Sequence, residues 1–199
     1  MANPKIKSYK LNMNSINKKI GSSKKYNETA DDFANEKFKR TKKALMQEFE
    51  QHPVTQEIEA GVASPNISGT LNGYGNLFTF IGFESGSKPV NSVRVFLQTR
   101  IALRKRSSKG SSLNKEYSVN IPTLESFNFA TMPWESQSWV RAVEFGISGF
   151  SYYMSKASAV SRSGGAIQID GKLRSLNSSK GVPYMTDILR KFMKRITSR

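Results

Sequence analysis

The sequence predicts an α+β protein in which a long N-terminal helix and a C-terminal helix pack on a mainly antiparallel sheet, with an extended basic arm and long loops. Three observations predict it. Apolar residues recur at three-four spacing between Glu28 and Gln51, an aromatic run at Leu77–Phe83 leads to period-two alternation up to Arg104, and a second amphipathic stretch follows Pro183. A chain of 199 residues suits one domain with extensions and buries a real core. The expected division is a basic arm over residues 1–27 and a single α+β domain over 28–199, with long loops at 105–115 and 149–180.

The arm reads as extended. Its first 25 residues hold seven lysines and no acid, and no sustained period is visible. From Glu28 to Gln51 the positions Ala30, Phe33, Ala34, Phe38, Ala44, Leu45 and Phe49 mark one apolar helix face. Asn27 is the expected N-cap, and His52-Pro53 the stop, because proline disfavours a helical residue before it. His52, the single histidine, is expected to be a cap or surface group.

Pro53 to Gly75 reads as a Gly-, Ser-, Asn- and Pro-rich loop carrying Glu57 and Glu59. Gly69, Gly73 and Gly75 do not make the dinucleotide fingerprint, and they precede an apolar run where a phosphate loop would precede a helix. That run, Leu77–Phe83, is expected to be a buried strand and the organising element of the fold. Val93, Val95, Leu97, Thr99, Ile101 and Leu103 then alternate with Arg94, Phe96, Gln98, Arg100, Ala102 and Arg104, the pattern of a long half-buried strand with a basic outer face. Tyr117, Val119 and Ile121 form the returning strand of a hairpin whose loop is cationic. Val143 and Phe145 suggest a further strand. Pro183 opens a closing helix whose stripe is Tyr184, Ile188, Leu189, Phe192, Met193 and Ile196, with Arg190, Lys191, Lys194 and Arg195 opposite.

Charge is the strongest global property. Lys and Arg number 31 against 15 acids, a formal net charge of +16, and mean hydropathy is −0.50. Such an excess draws the protein to polyanions or acidic partner surfaces. The candidate partner or DNA contacts are Lys18, Lys19, Lys24, Lys25, Arg104, Lys105, Arg106, Lys109 and Arg162, on the arm, the end of the long strand, the hairpin loop or the late loop. No cysteine occurs, so disulfides, thiolate metal sites and cysteine nucleophiles are excluded. One histidine and scattered acids offer no triad or magnesium cluster, so no catalytic residue, metal or cofactor is expected. No apolar run approaches a membrane span, and no secretory leader is visible, which suggests an intracellular or assembled-particle setting.

Several short segments, taken in order, resemble the tail-completion and neck (head–tail connector) proteins of tailed bacteriophages. They are the N-terminal helix, the turn Ser68-Gly69-Thr70-Leu71, a strand hairpin, Val143-Glu144-Phe145-Gly146, and the helix start Pro183-Tyr184-Met185. In that family a Thr-Gly-x-Leu-like turn, a Val-Glu-x-Gly-Thr-like segment and a Pro-Phe-Leu-type helix start occur in this order. The resemblance spans roughly residues 28–196 as element order. Here Gly69-Thr70 is inverted, Ile147 follows Gly146, and the next loop is long. The resemblance implies a ring-forming virion structural protein without catalysis, assembled in the host cytoplasm. Its implied partners are copies of itself and neighbouring head-connector, tail-terminator or tail-tube and sheath proteins, with nonspecific DNA contact and no membrane. The competing reading is a basic nucleic-acid-binding protein acting through backbone contacts, with Tyr152-Tyr153 beside Lys156 and Arg162 as its best local support. A nuclease or processing enzyme is a weaker third.

Overall fold

The computed structural model describes residues 12–71, 75–106, 113–133, 135–145, 153–156, 166–169 and 183–198. Within these, the protein is a mixture of helix and sheet in which helix predominates. The helices are α1 (Met13–Ser22), α2 (Lys24–Gln51), α3 (Pro53–Ala60), α4 (Leu77–Ile81), α5 (Pro89–Arg100), α6 (Trp139–Phe145) and α7 (Met185–Thr197). The strands are β1 (Ala102–Lys105), β2 (Tyr117–Asn120), β3 (Thr131–Met132), β4 (Glu135–Ser138), β5 (Tyr153–Lys156) and β6 (Ala166–Ile169). The antiparallel sheet expected beneath both long helices is present, among the described residues, only as the two-stranded pairs β1–β2, β3–β4 and β5–β6. The chain divides into two compact units. One comprises Met1–Phe38 and Leu103–Val119, the other Lys39–Ala102 and Asn120–Arg199.

In the first unit, α1 occupies part of the expected extended arm. Asn12 starts it by accepting the Ser15 amide at 3.1 Å, a cap that satisfies one of the open N–H groups of the first turn. α2 begins at Lys24, before the expected Asn27 cap. Asn27 instead lies inside the helix and donates to the Ser23 carbonyl at 2.9 Å. The helix ends at Gln51 as the proline requires.

In the second unit the core is helix on helix. Leu45 and Phe49 of α2, Val54 and Ile58 of α3, and Val93 and Leu97 of α5 are all buried. The expected loop at 53–75 begins as α3, capped by His52, whose Nδ1 accepts the Val54 amide at 3.2 Å. Proline at the first position, needing no N–H partner, favours this start. The expected strand at Leu77–Phe83 is α4. Asn76 and Thr79 cap one another reciprocally, and Gly82, at φ 84°, ends the helix in the left-handed conformation that side chains other than glycine resist. The expected long strand at 93–104 is mostly α5: Pro89 pre-sets the first turn, and Val90, Val93 and Leu97 bury one helical face. Extended backbone begins only at Ile101, and the strand itself is Ala102–Lys105. Lys42 closes the C-terminal end of α5 by donating to the carbonyls of Gln98 (2.6 Å) and Ile101 (2.7 Å), and its burial pulls the ammonium pKa down.

The expected strand at Val143–Phe145 is likewise helical. In α6, Trp139, Val140, Ala142 and Val143 face inward while Phe145 is exposed. Glu144 accepts the amides of Tyr184 (3.0 Å) and Thr186 (3.3 Å), so a carboxylate of α6 caps the start of α7. Tyr184 is the point where α2, α3, α6 and α7 meet. Its ring lies 6.3 Å from those of Phe49 and Trp139 and 4.8 Å from His52, and its hydroxyl shares a 2.8 Å hydrogen bond with Thr55. Along α7 the expected stripe holds at Ile188, Leu189 and Phe192, whereas Met193 is exposed. Part of the expected 149–180 loop forms the antiparallel pair β5–β6, with Tyr153 opposite Ile169 and Lys156 opposite Ala166.

Candidate nucleic-acid interface

The first unit carries a disproportionate share of the charge. Its two segments contain thirteen basic residues and five acidic ones, so half of the net +16 belongs to about a quarter of the chain. The charges are also segregated. Residues 12–25 contain Lys18, Lys19, Lys24 and Lys25 and no acid, and β1 with the residue after it contributes Arg104, Lys105 and Arg106. Four of the five acids, Glu28, Asp31, Asp32 and Glu36, lie on α2.

Two hydrogen-bonded ties bring the arm and the hairpin together, although they are about ninety residues apart in sequence. At the elbow between α1 and α2, Lys115 donates to the Gly21 carbonyl at 3.1 Å and lies 5.8 Å above the Tyr26 ring, whose hydroxyl donates to the Leu113 carbonyl. One turn along α2, Asp31 accepts from Lys105 at 2.7 Å and from the Tyr117 hydroxyl at 2.6 Å. The Lys105 hydrogen bond, followed by that of Tyr117, holds the Asp31 carboxyl below its ordinary range. Burial, reinforced by the negative charge of Asp31, pushes the Tyr117 phenol up to about 12.

Of the nine sequence-predicted contacts, Lys18 and Lys19 sit exposed on α1, and Lys24 and Lys25 sit exposed in the first turn of α2. Arg104 and Lys105 are on β1 with Arg106 following, also exposed. These seven belong to one unit. Lys109 and Arg162 lie outside the described residues. Lys105 is held by a hydrogen-bonded ion pair with Asp31 at 2.7 Å. Lys24 pairs with Glu28 at 3.7 Å, an exposed i,i+4 contact of small energetic consequence. Sequence reasoning missed Tyr26, Asp31, Lys115 and Tyr117. Lys115 and Tyr117 were legible as hairpin residues, but nothing in the sequence identified the positions on α1 and α2 that they reach.

Several titratable groups of the second unit have structural roles. Glu57 is fully buried and accepts the backbone amides of Ser68 (2.6 Å) and Leu77 (2.7 Å), which fixes the chain entering α4. Arg94 forks onto Glu50 (2.6 and 2.8 Å) and also reaches Glu59 (2.7 and 2.9 Å). Chiefly the Glu50 hydrogen bonds raise the Arg94 guanidinium pKa. Among the described residues no group of three His, Asp or Glu side chains is placed to hold a metal, and no helix is long and apolar enough to cross a membrane. No protein-family model matches the sequence, and comparison with known proteins and with solved structures likewise finds no match.

Proposed function

We propose that this chain is a virion structural protein of a tailed bacteriophage, a ring-forming neck or tail-completion component that joins head to tail without catalysing a reaction. The observation that carries the reading is the mixed cationic and apolar surface of the first unit. There Met13 (57% exposed) and Ile20 (43%) share α1 with Lys18 and Lys19, and Phe33 (71%) lies on α2, whose first turn carries Lys24 and Lys25. Three large apolar side chains held in water within one small unit fit burial by a neighbouring subunit. Lysines among them fit the channel of a particle filled with DNA. Two of the family-like segments are well anchored, the Ser68–Leu71 turn by Glu57 and the chain entering α7 by Glu144, whereas Val143–Phe145, the strand end of that order, is helical.

The second reading, a basic nucleic-acid-binding protein, draws on the same segregation of charge and differs in needing no assembly. Mass photometry of the purified protein, together with peptide mass spectrometry of phage particles, separates the two. The connector reading expects a closed oligomer and the chain present in particles at ring stoichiometry. A stable monomer that is absent from particles contradicts it.

A further inference from the structure

β1 presents two faces of different chemistry. Lys105 points toward α2, because its ammonium lies 2.7 Å from Asp31. Successive residues of a strand point to opposite faces, so Arg104 and Arg106 share the other one. Arg106 continues the pairing beyond the strand by donating its amide to the Glu116 carbonyl at 2.9 Å, which keeps the alternation through that position. On the rise of a strand, the two stems stand about 6.6 Å apart. Both side chains are exposed. Across the pair, the Ser118 hydroxyl donates to the Arg104 carbonyl at 3.4 Å, which ties the backbone beneath the first arginine.

The chemistry of that face selects the ligand. Guanidinium groups form planar forks that match phosphate oxygens, and two on one side of a ribbon address two points on a continuous anion. Four of the unit's five acids are on α2, and Asp31 among them is consumed by Lys105 and Tyr117; the fifth, the exposed Glu116, is the cross-strand neighbour of Arg106 and offsets part of its charge, which leaves the face net positive. The ring of Tyr26 lies beneath Lys115 and the Tyr117 hydroxyl is bound to Asp31, so neither is presented for base stacking. We infer that Arg104 and Arg106 form a sequence-independent binding site for the phosphate backbone of duplex nucleic acid. The exposed Lys18, Lys19, Lys24 and Lys25 add long-range attraction, and Lys105 serves as an internal anchor. The inference rests on the DNA-facing part of the connector reading, while ring formation is scored separately by particle mass.

The test is fluorescence anisotropy with a labelled random-sequence duplex DNA, titrated with the full chain across a range of salt. Each phosphate contact contributes about −0.9 to the slope of log affinity against log salt. Replacing both arginines, R104Q with R106Q, is expected to reduce the slope by about 2 and weaken binding roughly thirtyfold at about 0.15 M salt. K105Q is expected to leave the slope within about half a contact of the parent. Should K105Q melt early, D31N with K105Q removes the ion pair as a unit and replaces it as the control. Loss on K105Q equal to that on either arginine overturns the assignment, as does full retention by the double arginine variant. Displacement of the DNA by polyglutamate at equal charge concentration also overturns it, identifying the face as one for acidic protein.

Discussion

Removing the Glu57 carboxylate should loosen one defined segment. Both of its oxygens accept backbone amides, one from Ser68 in the turn and one from Leu77 in the first turn of α4, at 2.6 and 2.7 Å in a fully buried setting. A glutamine offers one acceptor oxygen and puts an NH2 against the other amide. E57Q therefore loses one strong hydrogen bond and leaves a buried N–H opposed. Hydrogen bonds to charged groups contribute about 1.5–3 kcal/mol and a stranded buried donor costs about 1–3 kcal/mol. These overlap, so the expected loss is about 2–4 kcal/mol for E57Q and about 3–5 kcal/mol for E57A, which adds a cavity. Urea unfolding followed by circular dichroism gives the total. Native-state hydrogen exchange locates it, and the Ser68 and Leu77 amides should lose protection first. A loss below about 0.5 kcal/mol for E57Q, the range of ordinary surface changes, would refute the assignment of Glu57 as the anchor of this segment.

Three further outcomes are expected. R94A should destabilise by about 1–2 kcal/mol and R94K by about half as much, because lysine cannot fork onto Glu50, with both effects shrinking in 1 M salt; double-mutant cycles with E50Q measure the coupling. Burial holds the His52 pKa down, with the positive charge of Lys191 adding to the effect. The unfolded state therefore takes up the proton first, and stability present above about pH 6.5 should be lost as pH falls through the lower folded value. The extra proton on Nδ1 also removes the acceptor for Val54, so H52N, which retains a capping oxygen, should flatten this part of the stability–pH curve. G82A should cost about 1 kcal/mol in urea unfolding, because Gly82 ends α4 at φ 84°.

The helical termini were legible where chemistry marks them most strongly: Pro53 ends α2 as a fixed φ and a missing N–H require, whereas Pro183, expected in the first turn of the closing helix, stands outside α7, before the Tyr184 N-cap. The interior of the chain was not, because period alone is ambiguous there. Val93 and Leu97 fit alternation, but Val90, Val93, Leu97 and Ile101 also recur at three-four spacing, and burial follows the helical set. Leu77, Phe78, Phe80, Ile81 and Phe83 crowd together without a clear period. The deciding signals are polar: Asn76 and Thr79 spaced as a capping box, with Gly82 beyond. The candidate site was legible as a set of cations but not as a geometry. Asp31 looked like one of several acids favouring the start of α2, whereas it reaches a strand more than seventy residues away and takes Lys105 out of the set.

The proposed function requires this chain to form a ring within a particle. Electron cryomicroscopy of purified phage particles, with the chain carrying a small internal tag, tests it most directly. The expected result is tag density repeated around the axis at the junction of head and tail, with the first unit at a subunit or DNA contact. Tag density absent from the junction, with the purified protein monomeric at every concentration tried, would contradict it.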